Sequence, residues 1–141
     1  MTAPNPESVV RCVQGALADA RIEGSEVDLV SGHLTATGAD PREVASWSKA
    51  LGRGPSDFPV LVATKSLVGH ALGAAGAVES IAALLMLEGG FAHPSINCGD
   101  VHPEIAPHAG SSPRARKGRA PGRIVRTACR GCGEIKEGAV T

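Results

Sequence analysis

Aromatic side chains are nearly missing from this sequence. They make up 2% of its 141 residues, with two Phe, one Trp and no Tyr. Any core must therefore be aliphatic and alanine-based, and the base stacking used by single-strand nucleic-acid binders is not on offer. Overall charge is also lacking, since Lys plus Arg and Asp plus Glu each number 14. No uninterrupted run of about 18 apolar residues stands out, so no membrane span is expected. The opening MTAPNPESVV has neither the basic start nor the apolar stretch of a secretory signal. Four cysteines, Cys12, Cys98, Cys129 and Cys132, are too few and too scattered for a secreted disulfide framework. The expected setting is the cytoplasm, with thiols mostly reduced.

What is present suits one domain with a real core: the length is that of a single domain, and 43% of residues are hydrophobic. The balanced charge hides an asymmetry. Residues 1–106 carry 6 Lys/Arg against 12 Asp/Glu, and residues 107–141 carry 8 against 2, a basic tail of net +6. In NPESVVRCVQGALADA the apolar positions Val9, Val10, Val13, Leu17 and Ala20 recur at helical spacing. VDLVSG follows as a short buried strand. Asp40 then reads as an N-cap, with Pro41 at the first helical position and Glu43 completing a capping box. That helix puts Val44, Trp47 and Leu51 on one face, and GRGPSD stops it. FPVLVATKS reads as a second strand, apolar enough to be covered on both faces. From Gly69 to Leu87 a longer Gly/Ala-rich helix is expected, its small residues admitting another backbone and its VESIAALLML half buried all round. The alternation indicates an α/β layered fold with parallel pairing. RIVRTA, inside the Pro-, Gly-, Ser- and Arg-rich tail, offers one more strand.

Two motifs follow the two strands: GHLTATGADP and TKSLVGHALGAAG. In open α/β sheets ligands bind at the carboxyl ends of strands, which is where His33 and Thr35, then Lys65 and His70, fall. His70 at a helix start would favour a neutral imidazole, and a nearby lysine would push the same way. Two neutral imidazoles either donate to a developing oxyanion or handle a substrate proton. Glu79, in the apolar half of the helix, needs a partner, for which Lys65 is the natural candidate. Each of these residues has a plainer reading. A histidine after a strand is more often a hydrogen-bonded structural residue, Thr35 and Thr37 can simply satisfy turn backbone, and Lys65 and Glu79 can be solvated charges. The glycines miss the GxGxxG spacing and no GK[ST] follows, so no nucleotide cofactor is implied. Cys129-Arg-Gly-Cys132 is a single CxxC. Zinc would need two further ligands, such as Cys98, His102 or His108, without paired spacing, and no metal is expected. The basic tail reads as solvated rather than as a nucleic-acid surface.

VDLVSGHLTATGADPREV, ATKSLVGHALGAAGAVESIAALLML and HPSINCGDVHPEI together resemble the C-terminal half of β-ketoacyl-acyl-carrier-protein synthases. The resemblance runs from about Pro6 to Ile105. It implies a thiolase-like C-terminal half-fold with a mixed sheet and a buried Gly/Ala-rich helix over residues 1–106, while the composition of residues 107–141 reads as a basic, partly disordered or divergent tail. It implies acyltransferase chemistry in fatty acid or polyketide synthesis: an acyl chain on a cysteine condenses with malonyl-acyl-carrier protein as carbon dioxide leaves. His33 and His70 correspond to the family's histidine pair, Lys65 to its active-site lysine and Glu79 to the acid that organises it. Thr35 and Thr37 match the threonines that contact the pantetheine arm. The implied partners are an acyl carrier protein and an N-terminal synthase half or a second copy. Leu34 stands where glycine is more usual, and Arg130-Gly131-Cys132-Gly133 stands where the family has a Phe-Gly-Phe-Gly gate. The family's nucleophilic cysteine belongs to the N-terminal half, so this chain on its own is expected not to condense thioesters. The alternative expectation is a non-catalytic fragment that binds a carrier protein or another partner.

Overall fold

The computed structural model describes residues 5–109, together with the backbone of residues 124–126 and 139–140. Helix α1, Pro6–Ala20, begins where Asn5 accepts hydrogen bonds from the N–H groups of Glu7 (2.9 Å) and Ser8 (3.4 Å), with Pro6 in the first turn. Val10, Val13, Ala16 and Leu17 form its buried stripe, and Arg21 closes it in the left-handed conformation. Strand β1, Leu29–Ser31, is buried along its whole length. Helix α2, Asp40–Leu51, turns Val44, Trp47, Ala50 and Leu51 inward and stops at Gly52, whose φ of 65° suits a glycine. Strand β2, Val60–Val62, pairs parallel to β1 with Leu29 opposite Val60. The tail returns as β3, Ile124–Arg126, parallel to β1 on its other side, and β4, Ala139–Val140, pairs antiparallel to β3. The sheet is thus mixed, in the order β2-β1-β3-β4.

The alternation of side chains along β1 divides the core between two layers. Val30 faces α1 and α2, where Val13, Leu17, Val27, Val44, Trp47 and Phe58 pack together. Leu29, with Val60 and Val62, faces the other side and packs on Ala83 and Met86. Those two residues lie on α4, Ala75–Gly89. Covering both faces is what a parallel pair requires. Trp47, fully buried, is the largest side chain of the first layer.

Two expectations from the sequence are corrected. The stretch Gly69–Leu87 is not one helix: a single turn, α3 (Lys65–Val68), ends at Gly69 with φ 75°, a 3-10 turn follows at Leu72–Ala74, and only then does α4 begin. Among the described residues, a Cβ at Gly69 or Gly73 would meet nothing within 4 Å. Gly69 is needed for its backbone angle instead. Nor is α4 buried all round. Ala75, Glu79, Ala83 and Met86 make its inner face, whereas Ile81, Leu84 and Leu85 are 58%, 44% and 54% exposed. Leu72–Gly89 is long and apolar enough to cross a membrane by length and composition, with a mean hydropathy of 1.4. It is not an uninterrupted apolar run, since Glu79, Ser80 and Glu88 fall within it, and Glu79 is engaged in an ion pair inside the domain. The Cys129–Cys132 motif and the Phe-Gly-Phe-Gly comparison lie outside the described residues.

Trp47→Ala is expected to lower the unfolding free energy by about 3–5 kcal/mol, by leaving a cavity between α1, α2 and β1. Trp47→Phe, which refills most of the space, should lose clearly less. Urea titrations followed by far-UV circular dichroism check both.

Candidate functional site

After Ser31 the chain leaves β1 while the Gly32 N–H still bonds the Val62 carbonyl at 3.0 Å. A Cβ on Gly32 would lie 2.9 Å from Leu34 Cγ and 3.4 Å from Glu43 Oε1, so the turn closes only over a glycine. Four consecutive backbone N–H groups then meet two carboxylates. Glu43 accepts from His33 (2.6 Å) and Leu34 (3.1 Å), and Asp40 from Thr35 (3.2 Å) and Ala36 (2.9 Å). The expected capping box is corrected by this arrangement: Ala39 is the N-cap, and neither acid caps the helix. Both stand in the first turn of α2, where the helix dipole favours negative charge, and reach back to hold the motif loop. Burial pushes the Glu43 carboxyl above its ordinary range, opposed by the His33 and Leu34 N–H donors. Ala36, at φ 57°, takes up the strain of the tight loop.

The second motif brings its residues to the same place. The imidazoles of His33 and His70 meet edge to face, with ring centroids 5.3 Å apart and planes at 81°. His33 is half-buried, and its pKa lies below the usual 6.5, through burial first and then the positive charge of Lys65; Glu79 and Asp40 oppose this, and His70 adds to it. His70, in the exposed turn before Leu72, accepts the Leu72 N–H on Nδ1 at 3.0 Å. In a neutral ring that bond assigns the proton to Nε2 and makes Nε2 a donor. Lys65 and Glu79 form a buried ion pair, at 8% and 2% exposure. The Lys65–Glu79 partnership expected from the sequence is therefore present in the geometry. His70 is brought to His33 by the turn after Gly69 and not by a helix start.

His70 and Lys65 border an open cleft of about 1530 Å³, lined also by Leu34, Thr35, Thr37 and Cys98. Thr35 and Thr37 share a hydrogen bond at 3.3 Å, and the Thr37 hydroxyl donates to Asp40 at 3.3 Å. The Cys98 thiol is exposed and donates to the Ile96 carbonyl. Cys12 is likewise exposed, on α1. Among the described residues no three His, Cys, Asp or Glu side chains are grouped to hold a metal ion. Sequence reasoning passed over Ser31, Thr64 and His93, which form a hydrogen-bonded chain behind Lys65. The signal was available, because HPSIN is a polar, proline-bearing stretch directly after a helix.

Residues 1–99 match the family model described as "Beta-ketoacyl synthase, C-terminal domain". The chain is 38% identical over 100 residues to the chloroplastic 3-oxoacyl-(acyl-carrier-protein) synthase II of Arabidopsis thaliana, covering 69% of this chain and 18% of that protein. It is 38% identical over 107 residues to the 3-oxoacyl-(acyl-carrier-protein) synthase 1 of Escherichia coli K12, covering 75% and 25%. Among solved structures it is similar to the ishigamide ketosynthase/chain length factor, with TM-score 0.76 and 36% identity, over 89% of this chain and 30% of that one. The chain thus spans about a quarter or less of the length of these two curated relatives.

Two outcomes follow from the site's electrostatics. Lys65→Met or Glu79→Gln alone leaves one buried polar group without its partner and is expected to cost about 3–5 kcal/mol. The double variant Lys65→Met/Glu79→Leu should lose less than the two single losses combined, measured by urea unfolding in a double-mutant cycle. His33 titrates lower in the folded state than in the unfolded one, so the unfolded chain takes up its proton first as pH falls. Its contribution is accordingly constant at neutral and higher pH, and is lost as pH drops from about 6.5 through the lowered folded value. Unfolding midpoints of wild type and His33→Gln across pH 5–8 should diverge only in that acidic window.

Proposed function

The chain belongs to the β-ketoacyl synthase family, as its C-terminal domain, and from that premise we propose that it carries the histidine, lysine and pantetheine-facing part of a decarboxylative condensing site in fatty acid or polyketide synthesis. The observation that carries this reading is the edge-to-face contact of His33 and His70 beside the Lys65–Glu79 pair, at the carboxyl ends of two parallel strands. In the reaction, the bond between the malonyl methylene and its carboxylate breaks and carbon dioxide leaves. The electron pair passes into the thioester as an enolate, which attacks an acyl group held on a cysteine, and the cysteine thiolate departs. The enolate oxygen needs donors already in place when its charge appears. His70 supplies Nε2–H, since Nδ1 is occupied by the Leu72 N–H. His33 is kept neutral by burial and by Lys65, so it too offers one N–H without bringing a full charge. Glu79 holds the lysine in place, and Thr35 and Thr37 on the cleft wall receive the pantetheine amides.

The thiolase-like half-fold is the architecture this reading adopts, with residues 1–106 as the synthase domain and 107–141 as a basic tail that adds β3 and β4. The substrate partner is an acyl carrier protein bearing a phosphopantetheine thioester. A cysteine-bearing synthase half, or a second copy, covers the apolar side of α4, where Ile81, Leu84 and Leu85 are exposed. The cytoplasm is the compartment this reading adopts for the chain, whose cysteines Cys12 and Cys98 are exposed.

The test is condensation of an acyl thioester with malonyl-acyl-carrier protein. The 141-residue chain alone is expected to show none, because the nucleophile in this reading comes from outside these residues. Supplied in trans with a cysteine-bearing synthase half, it should turn over, and His33→Ala or His70→Ala should each reduce the rate by about 10²–10³-fold. Condensation by the chain alone, or turnover indifferent to both histidines, overturns the proposal.

A further inference from the structure

His93 is neither in the histidine pair nor in the cleft wall, yet it joins the two elements that carry Lys65 and Glu79. Its Nδ1 lies 3.0 Å from the Pro94 carbonyl, which can only accept, so Nδ1 bears the proton. In the neutral ring Nε2 is then an acceptor, and the Thr64 hydroxyl, 2.9 Å away, donates to it. With the Thr64 proton committed, Ser31 at 3.5 Å is the donor to Thr64 Oγ1. Thr64 directly precedes Lys65 and is 2% exposed. The backbone N–H of His93 meets Met86 Sδ at 3.5 Å, on α4 two turns beyond Glu79. The residues after His93 fasten the same turn on both sides of Lys65: Ser95 Oγ accepts the Ala63 N–H at 2.9 Å, and Ser66 Oγ accepts the Ile96 N–H at 3.1 Å.

We infer that His93 is a positioning residue for the Lys65–Glu79 pair, clamping the turn that bears Lys65, through Thr64, to the helix that bears Glu79. The inference rests on the reading of Lys65 as part of the site beside His33. His93 reaches Thr64, the residue before Lys65, and so acts on where the lysine's charge stands. The variable it controls is therefore the field at His33, whose titration senses Lys65, Glu79, His70 and Asp40.

The experiment is a nuclear magnetic resonance titration of the histidine rings in the full 141-residue chain. At neutral pH the His93 ring should be the Nδ1–H tautomer. Finding Nε2–H overturns the clamp without any variant. Lys65→Met should raise the His33 midpoint. His93→Ala and the near-isosteric Thr64→Val should raise it by at least half as much, and the double variant no further. His93→Gln and Thr64→Ser, which keep a hydrogen-bonding partner, should leave it at the wild-type value. Should His93→Ala fail to fold, Thr64→Val makes the same comparison. A His33 midpoint unmoved by His93→Ala and Thr64→Val, while Lys65→Met shifts it, overturns the positioning role and leaves the site reading standing. An unmoved midpoint in Lys65→Met overturns both.

Discussion

The buried ion pair between Lys65 and Glu79 is the constraint around which the rest of the site is arranged. Each charge taken from water costs several kcal/mol unless it is met by its opposite with good geometry. An apolar helix such as α4 accepts a carboxylate only if its neighbour delivers a cation, and the turn after β2 does so. The requirement fixes the rotation of α4, so that Ala75, Glu79 and Ala83 face inward and the bulkier Ile81, Leu84 and Leu85 face away. It also sets the potential at His33, which shares a neighbourhood with both charges. Burial first and then the lysine push that imidazole further toward its neutral form.

The first motif solves a different problem. A loop that must present His33 and Thr35 cannot use its own N–H groups in a ladder, and leaving four donors without partners would be costly. Two carboxylates from the start of α2 take them in pairs. The same negative charges lie where the helix dipole welcomes them. Residues 32–43 thus contain the candidate site side chains His33 and Thr35 and the acids that hold their backbone still.

Much of this could be read from the sequence because it depended on periodicity and local pairing. The stripe of α1, the inward face of α2, the parallel β1–β2 pair and the Lys65–Glu79 partnership all follow from spacing or from the need to neutralise a buried carboxylate. What could not be read depended on backbone direction. Asp40 and Glu43 form the pattern of a capping box, but the preceding loop offered better donors than the helix end, and only the turn geometry decides between them. The break at Gly69 looked like weakened helix because glycine and alanine do not reveal which φ a glycine adopts. The outer face of α4 looked buried since composition registers apolarity and not what lies against it. HPSIN stood out as a polar stretch, but what His93 bonds to could not be read, because its link to Thr64 joins positions 29 residues apart through a single hydrogen bond, which no period announces.

The place of β3 in the sheet has a further consequence. Strand β1 lies between β2 and β3, so one of its edges pairs with residues 60–62 and the other only with residues 124–126. During synthesis β1 can dock β2 early, while its second row of backbone donors and acceptors waits for most of the chain to emerge. Pairing across so long an interval is slow, and an apolar strand edge left open in the meantime is a template for other chains. The strand whose end aims His33 therefore completes its own pairing only when residues 124–126 arrive.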